Sequence, residues 1–356
     1  MKIELFYGLE QSRSSIGPAT LQDDLIKILA AIDSERSIKR AAEKLGTSYR
    51  YLWGSVLKWE ATFGQTLVSR ERGKPATLTP LGRKLLWAER SVQAKYAVDI
   101  AKIVSELNTA FAVASDPKAK MITVAGCYDP FLSSLQEAAN REELILDYHF
   151  STGAEGLRTL NARQTMVAGF NFPEGSAKGS EAFKVFRPLI NPERMAGCHV
   201  CRRAQGLVVA KENPLGIKTF EDIFEKKVRY ASRAPGTGTY TLQQELLHKT
   251  GRLPEQLAAQ STVYSSHMAV ATAVASGEAD AGLCVAEAAH LVGAEFIPLL
   301  WENYYLAWMK EDAKVVEPLL GVLKEGAKVA TEQHGKRDLS HSGERIDDWR
   351  EELDWF

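Results

Sequence analysis

The sequence predicts an α/β protein carrying a small all-α head at its N-terminal end, and three observations lead there. Residues Ile38 to Trp59 have the layout of two helices around a tight turn. A long amphipathic stretch then runs from Leu81 to about Phe111. Beyond Met121, short β-rich runs alternate with helical stretches, the pattern of an α/β body with largely parallel sheets. A length of 356 residues suits two or three such parts.

Composition narrows the class. No apolar run approaches the roughly 20 residues that span a bilayer, and Met1-Lys2-Ile3-Glu4 does not open a secretory leader, so the expected location is the cytoplasm with no membrane partner. Four cysteines in this length do not make a disulfide framework. The net charge of −1 conceals an asymmetry: Leu21 to Lys95 holds 14 Lys and Arg against 8 Asp and Glu. A basic head on an acidic body suits a partner as anionic as double-stranded DNA.

The elements of the head follow in order. Leu25, Ile28, Leu29 and Ile32 recur at helical spacing over Leu21–Ser34 and predict a supporting helix. The next helix is expected to carry Ala41, Ala42 and Leu45 inward, its paired alanines allowing a steep crossing. Gly46 supplies the turn residue that tolerates positive φ. Ser48 is placed to cap a recognition helix whose first turn exposes Tyr49, Arg50 and Tyr51. A basic, hydrogen-bonding first turn is what major-groove reading requires. Lys39 and Thr47 flank that turn. Leu67–Arg70 and Ala76–Thr79 read as two short strands around a basic tip, a wing that offers Arg70, Arg72 and Lys74 to phosphates.

Thr79-Pro80 opens the long helix, whose single apolar stripe includes Leu85, Val92, Tyr96, Ile103 and Leu107. Such a stripe forms a dimer seam or packs on its own domain; we favour the seam, hence a homodimer or homotetramer. The expected divisions are 1–79 for the head, 80–113 for the linking helix, 114–330 for the body and 331–356 for a charged tail, read as a surface helix packing on the body or on a neighbouring subunit.

Three turn-rich loops in the body sit between a strand and a helix. They are Gly126 to Pro130, Ser151 to Gly156 and Ser232 to Thr239. Each offers backbone N–H groups and small hydroxyls where a helix dipole favours an anion. No lysine follows the glycines of the third loop, so a nucleotide P-loop is not expected. Cys198-His199-Val200-Cys201 is half a zinc motif without a second cysteine pair, and buried apolar thiols are the expected reading, with no metal. His267 begins a helix and either faces the cleft or bonds nearby backbone. No catalytic constellation emerges, neither Gly-x-Ser-x-Gly nor His-Glu-x-x-His, so neither an enzyme nor a cofactor is expected.

Arg36-Ser37-Ile38-Lys39-Arg40-Ala41-Ala42, Ser48-Tyr49-Arg50-Tyr51-Leu52-Trp53 and Leu78-Thr79-Pro80-Leu81-Gly82 resemble the ModE/LysR-type winged helix-turn-helix. The Ser-Tyr-Arg-x-x-Trp stretch is nearer to ModE, the molybdate-responsive regulator. From Met121 to Met309 the chain resembles a periplasmic-binding-protein-like domain, on Gln205–Val209, Asn213–Ile217, Arg233–Thr239, His267–Ala271 and Ala275–Leu283. The resemblance implies a type II fold of two lobes, roughly Met121–Gly197 and Gln205–Pro298, joined by crossover strands. It implies a transcriptional regulator sensing a small molecule or anion, with molybdate or tungstate first. Ligand contacts would come from Cys127, Tyr128, Ser151, Thr152, Gly153, Phe170, Gly236, Thr237, Gly238, Thr239 and His267. Cys127 and Tyr128 stand where relatives tend to carry Ser-His, and Phe170-Asn171-Phe172 where a histidine is often found, so a larger, partly apolar ligand is the other option. The competing classes are a binding or storage protein for an oxyanion and, third, an enzyme using the same cleft.

Overall fold

The computed structural model describes residues 24–70, 75–115, 120–331 and 337–356. Contacts divide the described residues into two units, one ending at residue 93 and the other covering 94–356.

The first unit is the head. Helix α1 (Asp24–Glu35) buries Leu25, Ile28, Leu29 and Ile32, as its spacing requires. Ser37 caps α2 (Ile38–Lys44) by accepting the Arg40 N–H, and Ala41 and Ala42 lie buried on its inner side. Leu45 departs from expectation: it falls at the end of α2, where the chain is already turning, and is 38% exposed. Gly46 takes φ +63° in the turn. Helix α3 (Tyr49–Phe63) buries Leu52 and Val56 and stops at Gly64 in the left-handed region. Two residues each form β1 (Val68–Ser69) and β2 (Thr77–Leu78), paired antiparallel as the two sides of the wing. Arg72 and Lys74, at the wing tip, lie outside the described residues.

Helix α4 (Pro80–Ser115) contributes Leu86 to the head core. Its later part belongs to the second unit: there the buried Ser105 hydroxyl accepts the Tyr148 N–H at 2.9 Å, and Thr109 donates to Asp147 at 3.2 Å. Ile103, Phe111 and Val113 stay exposed on the same helix. Of the apolar stripe, Val92, Tyr96 and Ile103 stay exposed, while Leu85 and Leu107 are half-buried.

The body is built on one ten-stranded sheet in the order β4-β3-β5-β10-β6-β9-β7-β8, with β11 and β12 added to β6. Lobe I holds β3 (Lys120–Gly126), β4 (Leu144–Phe150) and β5 (Val167–Pro173), all parallel. Around them lie α5 (Pro130–Ser134), α6 (Gln136–Arg141), α7 (Gly153–Asn161) and α8 (Glu181–Phe186). The first two of these are short and meet at the buried Leu135.

Strand β6 (Met195–Val209) leaves lobe I and enters lobe II. There α9 (Asp222–Glu225), β7 (Tyr230–Arg233), α10 (Gly238–Thr250), α11 (Pro254–Ala258), β8 (Ser261–Tyr264), α12 (His267–Ala275), β9 (Ala281–Val285) and α13 (Ala286–Leu291) follow. Strand β10 (Glu295–Met309) returns antiparallel to β6 and to β5 of lobe I. Each crossover strand is 15 residues long, three times what the apolar runs Gly206–Ala210 and Phe296–Leu300 indicate. The difference comes from Arg203, Gln205 and Glu302, whose polar side chains interrupt the apolar pattern yet pair with one another inside the protein.

After α14 (Ala313–Thr331) the tail corrects a second expectation. It packs on the body, but as two short strands and one helical turn rather than as a surface helix. Strands β11 (Arg337–Asp338) and β12 (Arg345–Ile346) pair with β6, and α15 (Trp349–Glu352) sinks Trp349 completely. Trp349 lies over Gly197, where a Cβ would approach its ring to 2.3 Å, and Trp355 stacks on Phe172 with centroids 4.8 Å apart. The charged residues that dominate this stretch lie between aromatic anchors and mask them in composition.

Candidate functional site

The head presents the surface its sequence implies. Ser48 accepts the Tyr51 N–H at 3.1 Å, and this cap fixes the start of α3. Tyr49 and Tyr51 are 50% and 55% exposed, and Arg50 is exposed beside them. Thr47 is half-buried and Lys39 exposed, its ammonium 4.0 Å from Glu43. The Arg70 guanidinium lies 3.4 Å from the centre of the Trp53 ring. That stack ties the base of the wing to α3 and leaves the cation facing outward. Trp53 therefore positions Arg70, a role that sequence spacing alone did not assign.

In the body, the three loops come together at the junction of the lobes. The Ser151 N–H donates to Gly126 O at 2.8 Å, joining the first loop to the second. Thr152 caps α7 and meets the third loop: a Cβ on Gly236 would lie 2.9 Å from its hydroxyl oxygen. Gly238 abuts Asn171, with a Cβ there 2.3 Å from both the side-chain amide and the carbonyl oxygen. Thr237 caps α10 by accepting the Tyr240 N–H at 3.2 Å. Ser266 caps α12 from the Ala269 N–H at 3.0 Å, placing His267 at that helix start.

Cys127 sits within this convergence. Burial pushes its thiol up to about 11, against the opposing fields of Arg233 and Arg203 and a bond from the Gly153 N–H. At neutral pH it is a protonated donor, not a reactive thiolate. Tyr128, beside it, stands edge-on to Phe150 with centroids 5.3 Å apart. Burial, then Arg233 and Arg203, hold the His267 imidazole well below its ordinary value, so it is neutral. Its Nδ1 is buried with no hydrogen-bond partner among the described residues.

Phe170 is not in the site. Side chains alternate along β5, so Phe170 and Phe172 both enter the core against Phe186 and Tyr305. Asn171, between them, faces the crossover strands instead and donates to Glu302 at 2.8 Å. Thr239 also points away from the loops and accepts from Gln205 at 3.0 Å.

Beneath the loops lies a buried polar network. Arg203 bonds Asp129 at 2.6 Å and pairs closely with Glu302. Gln205 donates to Glu302 at 2.7 Å. Burial alone would raise the Asp129 carboxyl, but Arg337 and Arg203 override it and hold it well below the usual range. Arg233 is the exception in this network. It is 9% exposed, donates once to Tyr264 O at 3.2 Å, and forms no ion pair among the described residues; its Nε is also unpartnered. Burial lowers it to about 10, so it still carries its charge at neutral pH. The sequence showed Arg233 only as a member of the third loop; nothing in spacing reveals that it forms no ion pair among the described residues.

Cys198 and Cys201 pack in the lobe I core as small apolar groups, their thiols pushed up to about 12 by burial. No helix among the described residues is long and apolar enough to cross a membrane.

Comparison with known proteins defines the class. Residues 24–83 match the lysR family of bacterial regulatory helix-turn-helix proteins, and residues 135–324 match the PBP superfamily domain. The chain thus carries a lysR-type helix-turn-helix segment followed by a PBP superfamily domain, in that order. The second match spans more than half of the sequence, and the chain belongs to the PBP superfamily. A curated relative, the uncharacterized protein YvgK of Bacillus subtilis (strain 168), is 34% identical over 153 residues, which is 43% of this chain and 47% of that protein. The chain thus spans about half the length of this relative. Among solved structures, full-length BenM is 16% identical, with 87% of this chain and 96% of that one covered and a TM-score of 0.42. The oxidized form of Corynebacterium glutamicum OxyR is 17% identical, covering 86% and 92% with a TM-score of 0.38. CbnR complexed with its target DNA is 16% identical, covering 85% and 98%, also with a TM-score of 0.38.

Proposed function

We propose that this protein is a cytoplasmic DNA-binding transcriptional regulator whose activity responds to a small anion held between the lobes of its body. The head would place the first turn of α3 in the major groove and the wing on the backbone, with the exposed part of α4 serving as the seam of a homodimer or homotetramer. Arg233 carries the ligand reading. A guanidinium this buried, still charged and without an ion-paired carboxylate among the described residues, favours a bound anion. The neutral His267, the protonated Cys127 and the capped starts of α7 and α10 surround it with donors. A ligand touching both lobes would act through its difference in affinity between open and closed forms.

Molybdate and tungstate are the first ligands to try, because the head resembles ModE. Small carboxylates are the second set, because Tyr128 and Phe150 offer an aromatic wall. Calorimetric titration of the full chain with each anion, in wild type and Arg233→Met, tests the reading. Saturable binding that weakens at least tenfold in the variant is expected. Binding of equal strength in both would remove Arg233 from the site, and no anion binding at millimolar concentration would overturn the reading.

A further inference from the structure

The tail supplies a contact that neither family match covers, since residues 337–356 lie beyond both 24–83 and 135–324. Its first described residue, Arg337, has only 4% of its side chain exposed and bridges carboxylates of the two lobes. Nη1 donates to Asp129 at 2.6 Å, on the lobe I loop that carries Cys127 and Tyr128. Nε and Nη2 make a two-pronged contact with Glu287, at 3.0 and 2.8 Å, on α13 of lobe II. The backbone of Arg337 is held on β6 opposite Arg203, so the guanidinium is anchored on the crossover strand itself.

We propose that Arg337 is a positioning residue of the cleft, an ionic clasp by which the C-terminal tail holds the two lobes at the closed angle. This rests on reading the cleft as the effector site. Asp129 and Glu287 sit on different lobes, and one rigid fork satisfies both only while the lobes stay at this angle. Opening the hinge separates the carboxylates and leaves one of them without its partner. The clasp therefore raises the closed population before any ligand arrives, and ligand affinity rises in proportion to that population. Asp129 is also bonded to Arg203, and Arg203 to Glu302, so the clasp passes directly into the network under the loops. A lysine at 337 would bring the charge but not the two-pronged geometry, so it would restore closure in part.

Hydrogen exchange of the full chain without ligand or DNA tests this, comparing wild type with Arg337→Met, Arg337→Lys and Glu287→Gln. In Arg337→Met, amides of the loop at 126–131 and of α13 at 286–291 are expected to exchange together at least tenfold faster, with the head unchanged. Arg337→Lys should fall between. Glu287→Gln breaks the lobe II arm from a partly exposed position and should loosen α13 while the 337–356 segment keeps its protection, so the clasp stays testable if Arg337→Met does not fold. Acceleration confined to 337–356 would mean that Arg337 merely pins the tail, and unchanged exchange at 126–131 and 286–291 would equally overturn the clasp. Because the readout needs neither DNA nor effector, a failed clasp leaves the regulator reading intact. A failed regulator reading would show separately, as absent promoter binding.

Discussion

Gly236 and Thr152 meet where the lobes touch: φ at Gly236 is +86°, and a Cβ there would lie 2.9 Å from the Thr152 hydroxyl oxygen. The contact joins the start of α7 in lobe I to the loop before α10 in lobe II. Gly236→Ala faces two penalties, a left-handed backbone and a crowded hydroxyl. The body should lose about 1–2 kcal/mol. Anion affinity should fall more than this loss of stability accounts for, because the added methyl props the lobes apart. Denaturant unfolding and calorimetry on the same variant separate the two effects.

Arg70 is held by its stack on Trp53, so its cation is ordered before DNA arrives. Arg70→Ala should weaken binding to all DNA sequences about equally and reduce the salt slope by roughly 0.9, the loss of one phosphate contact. Trp53→Leu should reproduce part of this defect with the charge still present. Fluorescence anisotropy across a salt series measures both.

His267 gives a pH dependence with a definite sign. The folded imidazole is held below its ordinary value of 6.5, chiefly by burial and then by Arg233 and Arg203. The unfolded chain therefore takes up a proton near 6.5 that the folded chain refuses. Stability is full above that pH and is lost as pH falls below it, by at most about 1.4 kcal/mol per pH unit. His267→Gln should flatten the profile between pH 6.5 and 5. Chemical denaturation at fixed pH steps would show an unchanged slope if the imidazole titrates freely.

Trp349 is fully buried over Gly197 and against Phe170 and Tyr305. Trp349→Ala should cost the body about 3–5 kcal/mol, the range for removing a buried aromatic. A loss under 1 kcal/mol by denaturant unfolding would restore the tail to the status of a surface appendage.

Much of this architecture was legible in the sequence, and the reasons differ by region. The head was readable because its signals are local: alanines and leucines at helical spacing, Ser48 at a helix start and Gly46 at the turn. The three loops were readable because strand, turn residues and helix follow one another within a few positions. Phe170 was misplaced because it rests on the resemblance alone, whereas the two-residue alternation of β5 turns Asn171 instead toward Glu302. The crossover strands were cut short because Arg203, Gln205 and Glu302 look like surface residues until their partners, about a hundred positions away, are known. Arg337 was invisible for the same reason. Its two carboxylates come from positions 129 and 287, and only the closed sheet brings them together.

The most direct measurement is the affinity of the full chain for duplex DNA from its own upstream region, followed by anisotropy from 50 to 300 mM salt, for wild type and Arg50→Ala. The account predicts nanomolar binding at low salt, a log–log slope steeper than about −4, and a loss of about 1–3 kcal/mol in the variant without a change in melting temperature. Salt-independent affinity, equal in both proteins, would contradict it.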